Sequence, residues 1–402
     1  MLHNPSSVLV RSAGVVCPAG SSVQSAWDYV SSGGLPFVQL APPLSPRPMP
    51  AALAQFDVSG HFAAHEVRRL DRSHQMALIA VRQACLGLEG MAPERCGLVV
   101  GVGFGSPEYI ENQLSAFQRS SARSISPAAI PVAMPNSVAA TVALELDIRG
   151  PVLTIAGACA AGAHAIAEGL WLIRTGRADR VIVGGVDAPI TRGMLAMFDR
   201  LEAMSRSDSP NSACRPFDRD RDGFVISEGA AFLVLDRHDT DGPKPLGEIL
   251  GCAVTNDAYH LVRPDPSGAG VRVAMYGALA DAKLVAADIC HVNAHGTGTP
   301  QNDLVEGLAI QDLFGSKMPV VSTKATTGHM LAASGAFEAI AALVGSRQCI
   351  AHPTANHIRI DERLDIAVSD RACQIAAGPA ISNSFAFGGV NVCLVVTGHG
   401  HS

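Results

Sequence analysis

The chain reads as an α/β protein in two halves, and three observations carry that reading. Short β-branched runs alternate with alanine-rich helical patterns along its 402 residues. Apolar residues make up 48% and charged residues only 16%, which suits a large core and excludes a disordered or fibrous chain. One polar stretch, Asp236-Arg237-His238-Asp239-Thr240-Asp241-Gly242-Pro243, breaks the pattern, and a second α/β run follows it. The boundary falls near 240, giving halves of residues 1–240 and 241–402.

In the first half the Pro-rich stretch 42–50 predicts a loop or an insertion. Ser73 to Leu88 predicts a helix and Gly97 to Gly101 a strand. The β-branched run Val152 to Ile155 predicts another strand, followed by a helix from about Ala160 to Gly176. On that helix Ala165, Ile166, Gly169, Leu170 and Ile173 share one face. Arg180 to Gly184 and Ala231 to Leu235 complete the half as strands. In the second half Leu246 to Val254 predicts a strand, Val271 to Ala280 a helix, and Cys290 to Asn293 a strand. No short repeat is visible, so the sequence alone shows no kinship between the halves.

Composition also narrows the function classes. The net charge of -6 argues against nucleic acid as a general partner. No apolar stretch reaches the roughly 18 residues of a membrane span, and the N-terminal residues lack the pattern of an export signal. Ten cysteines are scattered without a Cys-x-x-Cys pair, which points to reduced thiols in the cytoplasm and to neither a disulfide framework nor a metal site.

One of those thiols stands apart. Cys159 lies in Thr154-Ile155-Ala156-Gly157-Ala158-Cys159-Ala160-Ala161-Gly162, a strand-to-helix turn made almost wholly of glycine and alanine. Such a turn lets a substrate approach the sulfur, and a helix N-terminus favours the thiolate, so Cys159 is the candidate nucleophile. Two segments of the second half have the same strand-then-loop design. His291-Val292-Asn293-Ala294-His295-Gly296-Thr297-Gly298-Thr299 ends a buried strand in a histidine framed by glycines and threonines. Val320-Val321-Ser322-Thr323-Lys324-Ala325-Thr326-Thr327-Gly328-His329 carries a lysine and then a histidine that opens a small-residue helix. Lys324 is one of four lysines in the chain, and Glu338 is its natural partner in a buried ion pair. A fourth segment, Phe385-Ala386-Phe387-Gly388-Gly389, pairs aromatics with two glycines, as at an oxyanion hole or a gate.

On these residues, and on Arg215 to Val225 and Asn256 to His260, the chain resembles the elongating β-ketoacyl-[acyl-carrier-protein] synthases of the thiolase superfamily. The resemblance covers nearly the whole chain. It implies the thiolase fold: two similar α/β halves in a five-layer α-β-α-β-α arrangement. It implies an acyltransferase that joins an acyl group on Cys159 to malonyl-carrier protein by decarboxylative Claisen condensation, in fatty-acid or polyketide synthesis. His295 and His329 would stabilise the enolate, and Lys324 with Glu338 would order the site. The backbone N–H groups of Cys159 and Phe387 would form the oxyanion hole, with Phe387 also the gate. Thr297 and Thr299 would hold the phosphopantetheine arm, and no metal or redox cofactor would be needed. Arg68, Arg69 and Arg72 would receive the acidic acyl carrier protein, and the chain would pair as a homodimer or as a heterodimer with a related ketosynthase-like subunit.

Several positions depart from the family pattern. Ala158 and Ala161 stand where Ser or Thr is frequent, Ala386 replaces a common Gly, and Val262 replaces a threonine that contacts the pantetheine. Phe104, in Gly103-Phe104-Gly105, aligns with a position lining the acyl pocket, which predicts a shortened or reshaped pocket. The rival reading is a non-catalytic subunit resembling a chain-length factor. Such subunits lack the nucleophile, and this chain retains Cys159 with both histidines and Lys324.

Overall fold

The structure, a computed structural model, describes residues 7–67, 69–88, 90 and 92–399. The first half contributes strands β1 (Val8–Val16), β2 (Cys96–Val102), β3 (Val152–Ile155), β4 (Arg180–Asp187) and β5 (Gly229–Asp236). Its main helices are α1 (Arg72–Ala84), α2 (Ser137–Glu145) and α3 (Ala161–Arg174). The second half contributes β6 (Gly247–Asn256), β7 (His291–Asn293), β8 (Pro319–Val321), β9 (Ala380–Phe385) and β10 (Val390–Gly398). Its main helices are α4 (Ala269–Ala282), α5 (Pro300–Phe314) and α6 (Ala332–Gln348).

The two halves share one topology. The first runs β3-β2-β4-β5-β1 across its sheet and the second β8-β7-β9-β10-β6, so each follows the order third, second, fourth, fifth, first. In each, the fifth strand is antiparallel to both neighbours and the other pairs are parallel. The first strands of the two halves pair antiparallel, Val8 to Val10 against Gly247 to Ile249, and join the two sheets into one.

Packing builds the layers. Apolar residues of α1 and α2 cover one face of the first-half strands, and those of α4 and α5 cover the corresponding face of the second. Helices α3 and α6 lie between the two sheets and share a single core with both. The order is therefore α-β-α-β-α, the five-layer thiolase arrangement. Every residue of β4 and β5 is buried, as expected of strands covered on both faces. At one end of that interior charge is paired. Arg11 and Arg180 both donate to Asp236, at 2.8 and 2.6 Å, and tie β1, β4 and β5 together at one end.

Two details bear on the site. A Cβ on Gly162 would lie 2.3 Å from the Ala332 carbonyl oxygen, so only glycine lets the N-termini of α3 and α6 come together. The Pro-rich stretch is a loop shorter than 42–50 suggested. Met49 and Pro50 open a strand, Met49–Ala52, that pairs with Phe37–Leu40, and the third strand joins only at Ala51 and Ala52, so the missing N–H of Pro50 breaks no ladder bond there.

Candidate active site

Four loops that follow strands β3, β7, β8 and β9 converge at the carboxyl ends of those strands, where α/β sheets build their sites. Cys159 sits on a single 3-10 turn, Ala158–Ala160, immediately before α3. Ala158 adopts φ +47°, a left-handed conformation that turns the chain sharply into the nucleophile. The backbone N–H groups of Cys159 itself and of Phe387 lie near the sulfur and favour its negative charge. Phe387 reaches it from the turn between β9 and β10, where Gly388 and Gly389 take φ of 82° and 79°. That turn is pinned from outside: the Gly388 N–H donates to the Leu261 carbonyl at 2.8 Å and Asn256 Nδ2 donates to the Gly388 carbonyl at 2.9 Å.

The two histidines meet edge to face with ring centres 5.5 Å apart. Lys324 lies behind His295, wholly buried, and its ammonium donates to the His295 carbonyl at 2.7 Å and to His295 Nδ1 at 3.2 Å. It also forms a tight ion pair with Glu338. An ammonium has no lone pair to offer, so His295 Nδ1 accepts and the ring proton resides on Nε2. At His329, Ser334 Oγ accepts the Met330 N–H at 2.9 Å and stands 3.2 Å from His329 Nδ1, with its own proton free to donate there. With that donation the proton of His329 is also on Nε2, where it faces the cavity chemistry as that of His295 does. Burial, reinforced by the charge of Lys324, holds both histidines well below the usual imidazole range, so both are neutral donors.

Cys159, His295, His329, Thr297, Thr299 and Phe387 line a single cavity of about 390 Å³. The two threonine hydroxyls are 2.9 Å apart on its wall, and Val262 lines it as well. Two expectations, for the Cys159 thiolate and for Arg72, need correction, and Phe104 stands apart from this cavity. Burial pushes the Cys159 thiol up to about 12, outweighing the charge of Lys324 and the two backbone donors, so the resting group is a thiol and not the thiolate that the helix N-terminus suggested. Phe104 does not line this cavity. The N–H groups of Gly103 and Phe104 donate to the Asp187 carboxylate at 3.0–3.1 Å, and the Phe104 ring, 43% exposed, stands edge-on to buried Phe198 at 5.8 Å. Arg72 is not available for docking, because its guanidinium is engaged by both oxygens of Glu228, at 2.6 and 2.7 Å, and by the Ala54 carbonyl. Arg69 is exposed, and Arg68 lies outside the described residues.

Other supports were missed in the sequence. Glu306, buried and pushed up to about 7 by desolvation, accepts the N–H groups of His295 and Gly296, both at 2.8 Å. Asp303, one turn earlier on α5, accepts those of Phe217 and Gly298. An acid repeated at three-residue spacing in the opening turns of a helix was the available signal. Phe224 stands edge-on to His329 at 5.4 Å and packs in turn on Phe198, at 6.1 Å, so a ladder of rings runs from His329 to Phe104.

A two-half thiolase fold with a Cys-His-His cavity at its strand ends defines a class, the condensing enzymes, and comparison with known proteins agrees. Residues 6–241 match the family model for the β-ketoacyl synthase N-terminal domain and residues 246–357 that for the C-terminal domain. The chain is 34% identical to 3-oxoacyl-[acyl-carrier-protein] synthase 2 of Staphylococcus aureus (strain N315), over 96% of this chain and 97% of that one. Among solved structures it is similar to a type II polyketide ketosynthase bound to the hexaketide, in complex with its acyl-carrier protein. That match has TM-score 0.90 and 25% identity, covering 98% of this chain and 100% of the other. The ishigamide ketosynthase/chain length factor superposes with TM-score 0.90 at 27% identity, covering 98% and 99%. The chain belongs to the β-ketoacyl synthase family of condensing acyltransferases.

Proposed function

We propose that this cavity performs decarboxylative condensation between an acyl group on Cys159 and a malonyl group delivered on carrier protein, with the nucleophile supplied by residues 1–240 and both histidines by residues 241–402. The observation that carries the reading is the placement of two sets of donors in one cavity: two backbone N–H groups at the Cys159 sulfur, and two neutral histidines, each with its proton on Nε2.

In the first step the Cys159 sulfur attacks the carbonyl of the acyl thioester. The N–H groups of Cys159 and Phe387 hold the tetrahedral oxyanion. As the C–S bond to the arm breaks, the departing pantetheine thiol takes the proton that the cysteine gives up. In the second step the malonyl C–CO₂ bond breaks and its electrons pass into the enolate, whose oxygen is held by Nε2–H of His295 and of His329. The enolate carbon attacks the acyl carbonyl, the new C–C bond forms, and Cys159 leaves and regains a proton. Lys324 does not line the cavity. It fixes the tautomer of His295, and Glu338 neutralises it. The chemistry calls on no metal or redox cofactor. Thr297 and Thr299 hold the arm, with one hydrogen bond fewer because Val262 is apolar. Phe387 gates the cavity, and Arg69 offers a positive charge to the acidic carrier protein. Phe104 limits the acyl chain from outside, by propping Phe198.

A second subunit fits the edge of the sheet, where β3 ends the order with Val152 and Leu153 exposed. The ketosynthase/chain length factor similarity admits either an identical or a related partner. Among the described residues no helix is long and apolar enough to cross a membrane. All ten cysteines are unpaired, which supports a reducing, cytoplasmic setting.

Intact mass measurement after incubation with acyl-carrier protein tests the reading. One acyl adduct on the wild-type chain and none on Cys159→Ala is expected. His329→Ala should keep the adduct while malonyl decarboxylation falls roughly 10²- to 10³-fold, the usual loss on removing one donor to a developing oxyanion. An unacylated Cys159 in the wild type would transfer the chain to the silent-subunit reading.

A further inference from the structure

Asp187 closes β4 at the carboxyl end of the sheet, and the condensation steps leave it unused. It is wholly buried, and its hydrogen-bond partners are all backbone N–H groups. Gly103 donates to both of its oxygens, at 3.1 and 3.0 Å, and Phe104 donates to Oδ1 at 3.0 Å. Ala332 donates to Oδ2 at 2.9 Å. A carboxylate only accepts, whereas a protonated acid needs an acceptor for its own proton, so this ring of donors suits the ionised form. Burial pushes the group up to about 7 against the pull of those donors, and above that pH it is a buried negative charge.

The bond to Ala332 acts on the catalytic turn. Ala332 opens α6, and the residue before it, Leu331, has no side chain able to cap a helix. Asp187 caps α6 instead from 145 residues away, with the charge that a helix N-terminus favours. Leu331 itself is held at φ +51° and ψ −118°, a strained backbone that persists only where its surroundings impose it. His329 lies two residues before it. Gly185, two residues before Asp187 on β4, brings the strand against the same helix start, since a Cβ there would lie 2.2 Å from the Ala332 carbonyl oxygen. Cys159 feels the same group. After burial and the opposing charge of Lys324, Asp187 is the next influence on its thiol, and it raises it.

We infer that Asp187 is a positioning residue of the condensation: its carboxylate ties the strained turn carrying His329 to the Gly103–Phe104 loop and sets a negative charge close to Cys159. The inference rests on the condensing reading above.

Two variants separate position from charge. In Asp187→Asn the size stays, the charge goes, and the amide NH2 is set against a backbone N–H. The kcat of malonyl decarboxylation should fall roughly ten- to hundredfold, with KM for malonyl-carrier protein within about twofold of wild type. Alkylation of Cys159 by iodoacetamide at pH 8, followed by peptide mapping, should rise about three- to tenfold, the equivalent of roughly half to one pKa unit. Gly103→Ala places a Cβ 2.6 Å from Asp187 Oδ2, which displaces the carboxylate and keeps its charge. Decarboxylation should fall there too, with no rise in Cys159 alkylation. Wild-type decarboxylation in Asp187→Asn, or an unchanged Cys159 alkylation rate, would overturn the inference and leave the condensing reading standing. Faster alkylation of the other buried cysteines alongside Cys159 would show general loosening of the fold, and would overturn it as well. If the wild-type chain neither takes an acyl group from acyl-carrier protein nor decarboxylates malonyl-carrier protein, the condensing reading fails and the positioning role falls with it.

Discussion

At the scale of the residue, Cys159 shows two opposed influences on one atom. The helix N-terminus, Lys324 and two backbone donors favour the thiolate, while complete burial opposes it and prevails, leaving a thiol pushed up to about 12. Raising the pH frees the thiolate only in proportion to hydroxide. Alkylation by iodoacetamide should therefore climb about tenfold per pH unit from 7 to 10 with no plateau, and a plateau near 8 would show the helix prevailing. Phe104 yields a second expectation. Its ring supports Phe198 from the surface side, so Phe104→Ala should free Phe198 to swing and shift products toward longer chains. Product analysis with a panel of acyl-carrier proteins reads this, and an unchanged chain-length profile would remove Phe104 from control of the pocket. The alignment with the family pattern suggested the position. It did not reveal that Asp187 would hold the backbone there or that the ring would meet Phe198 edge-on.

At the scale of the element, the site depends on two helix N-termini that nearly touch. Gly162 on α3 faces the Ala332 carbonyl on α6, and the turns just before these helices carry Cys159 and His329. Gly162→Val would force the helices apart and cost about 1–3 kcal/mol as an overpacked contact. A lowered unfolding midpoint, with condensation lost more steeply than acylation, is the expected result, because acylation needs only the Cys159 side of the junction. Full condensation at normal stability would show that the junction does not set the geometry. The strands and helices were largely legible, since β-branched runs and alanine-rich periodicity are local signals. Arg72 was misread for the opposite reason. Its partner, Glu228, is far away in sequence, and an arginine on a helix end looks the same whether solvated or clamped.

At the scale of the whole molecule, six of the described histidines are buried and held below their usual range, His74 and His357 among them, and the other four are held far below it. Desolvation brings His291 down to about 3 and His352 to about 4, and His295 and His329 lie well below 6.5. The unfolded chain binds a proton at each of them near 6.5, and the folded chain does not. Stability from these groups is thus complete above 6.5 and is lost as the pH falls. Well below 6.5 the loss is about 1.4 kcal/mol per histidine for each pH unit. Urea midpoints measured from pH 8 to 5 should fall steadily below 6.5, and a flat profile would mean that the histidines take up protons in the fold. The kinship of the halves also belongs to this scale. Their sequences share no visible repeat, yet their sheets follow one strand order, because a fold requires only apolar strands of the right length and not the same residues.

The sequence by itself determined the chemical kinds present: one cysteine on a small-residue turn, two histidines on glycine-framed loops, and a lysine with an acid for it to meet. Those features are local, and a single stretch of chain displays each of them. The tertiary structure alone decided which of them share a cavity, that the cysteine rests as a thiol, and that both histidines keep the proton on Nε2. It also set Phe104 against Phe198 and clamped Arg72 on Glu228. These depend on burial and on partners distant along the chain, and electrostatics acts through the distances that folding creates.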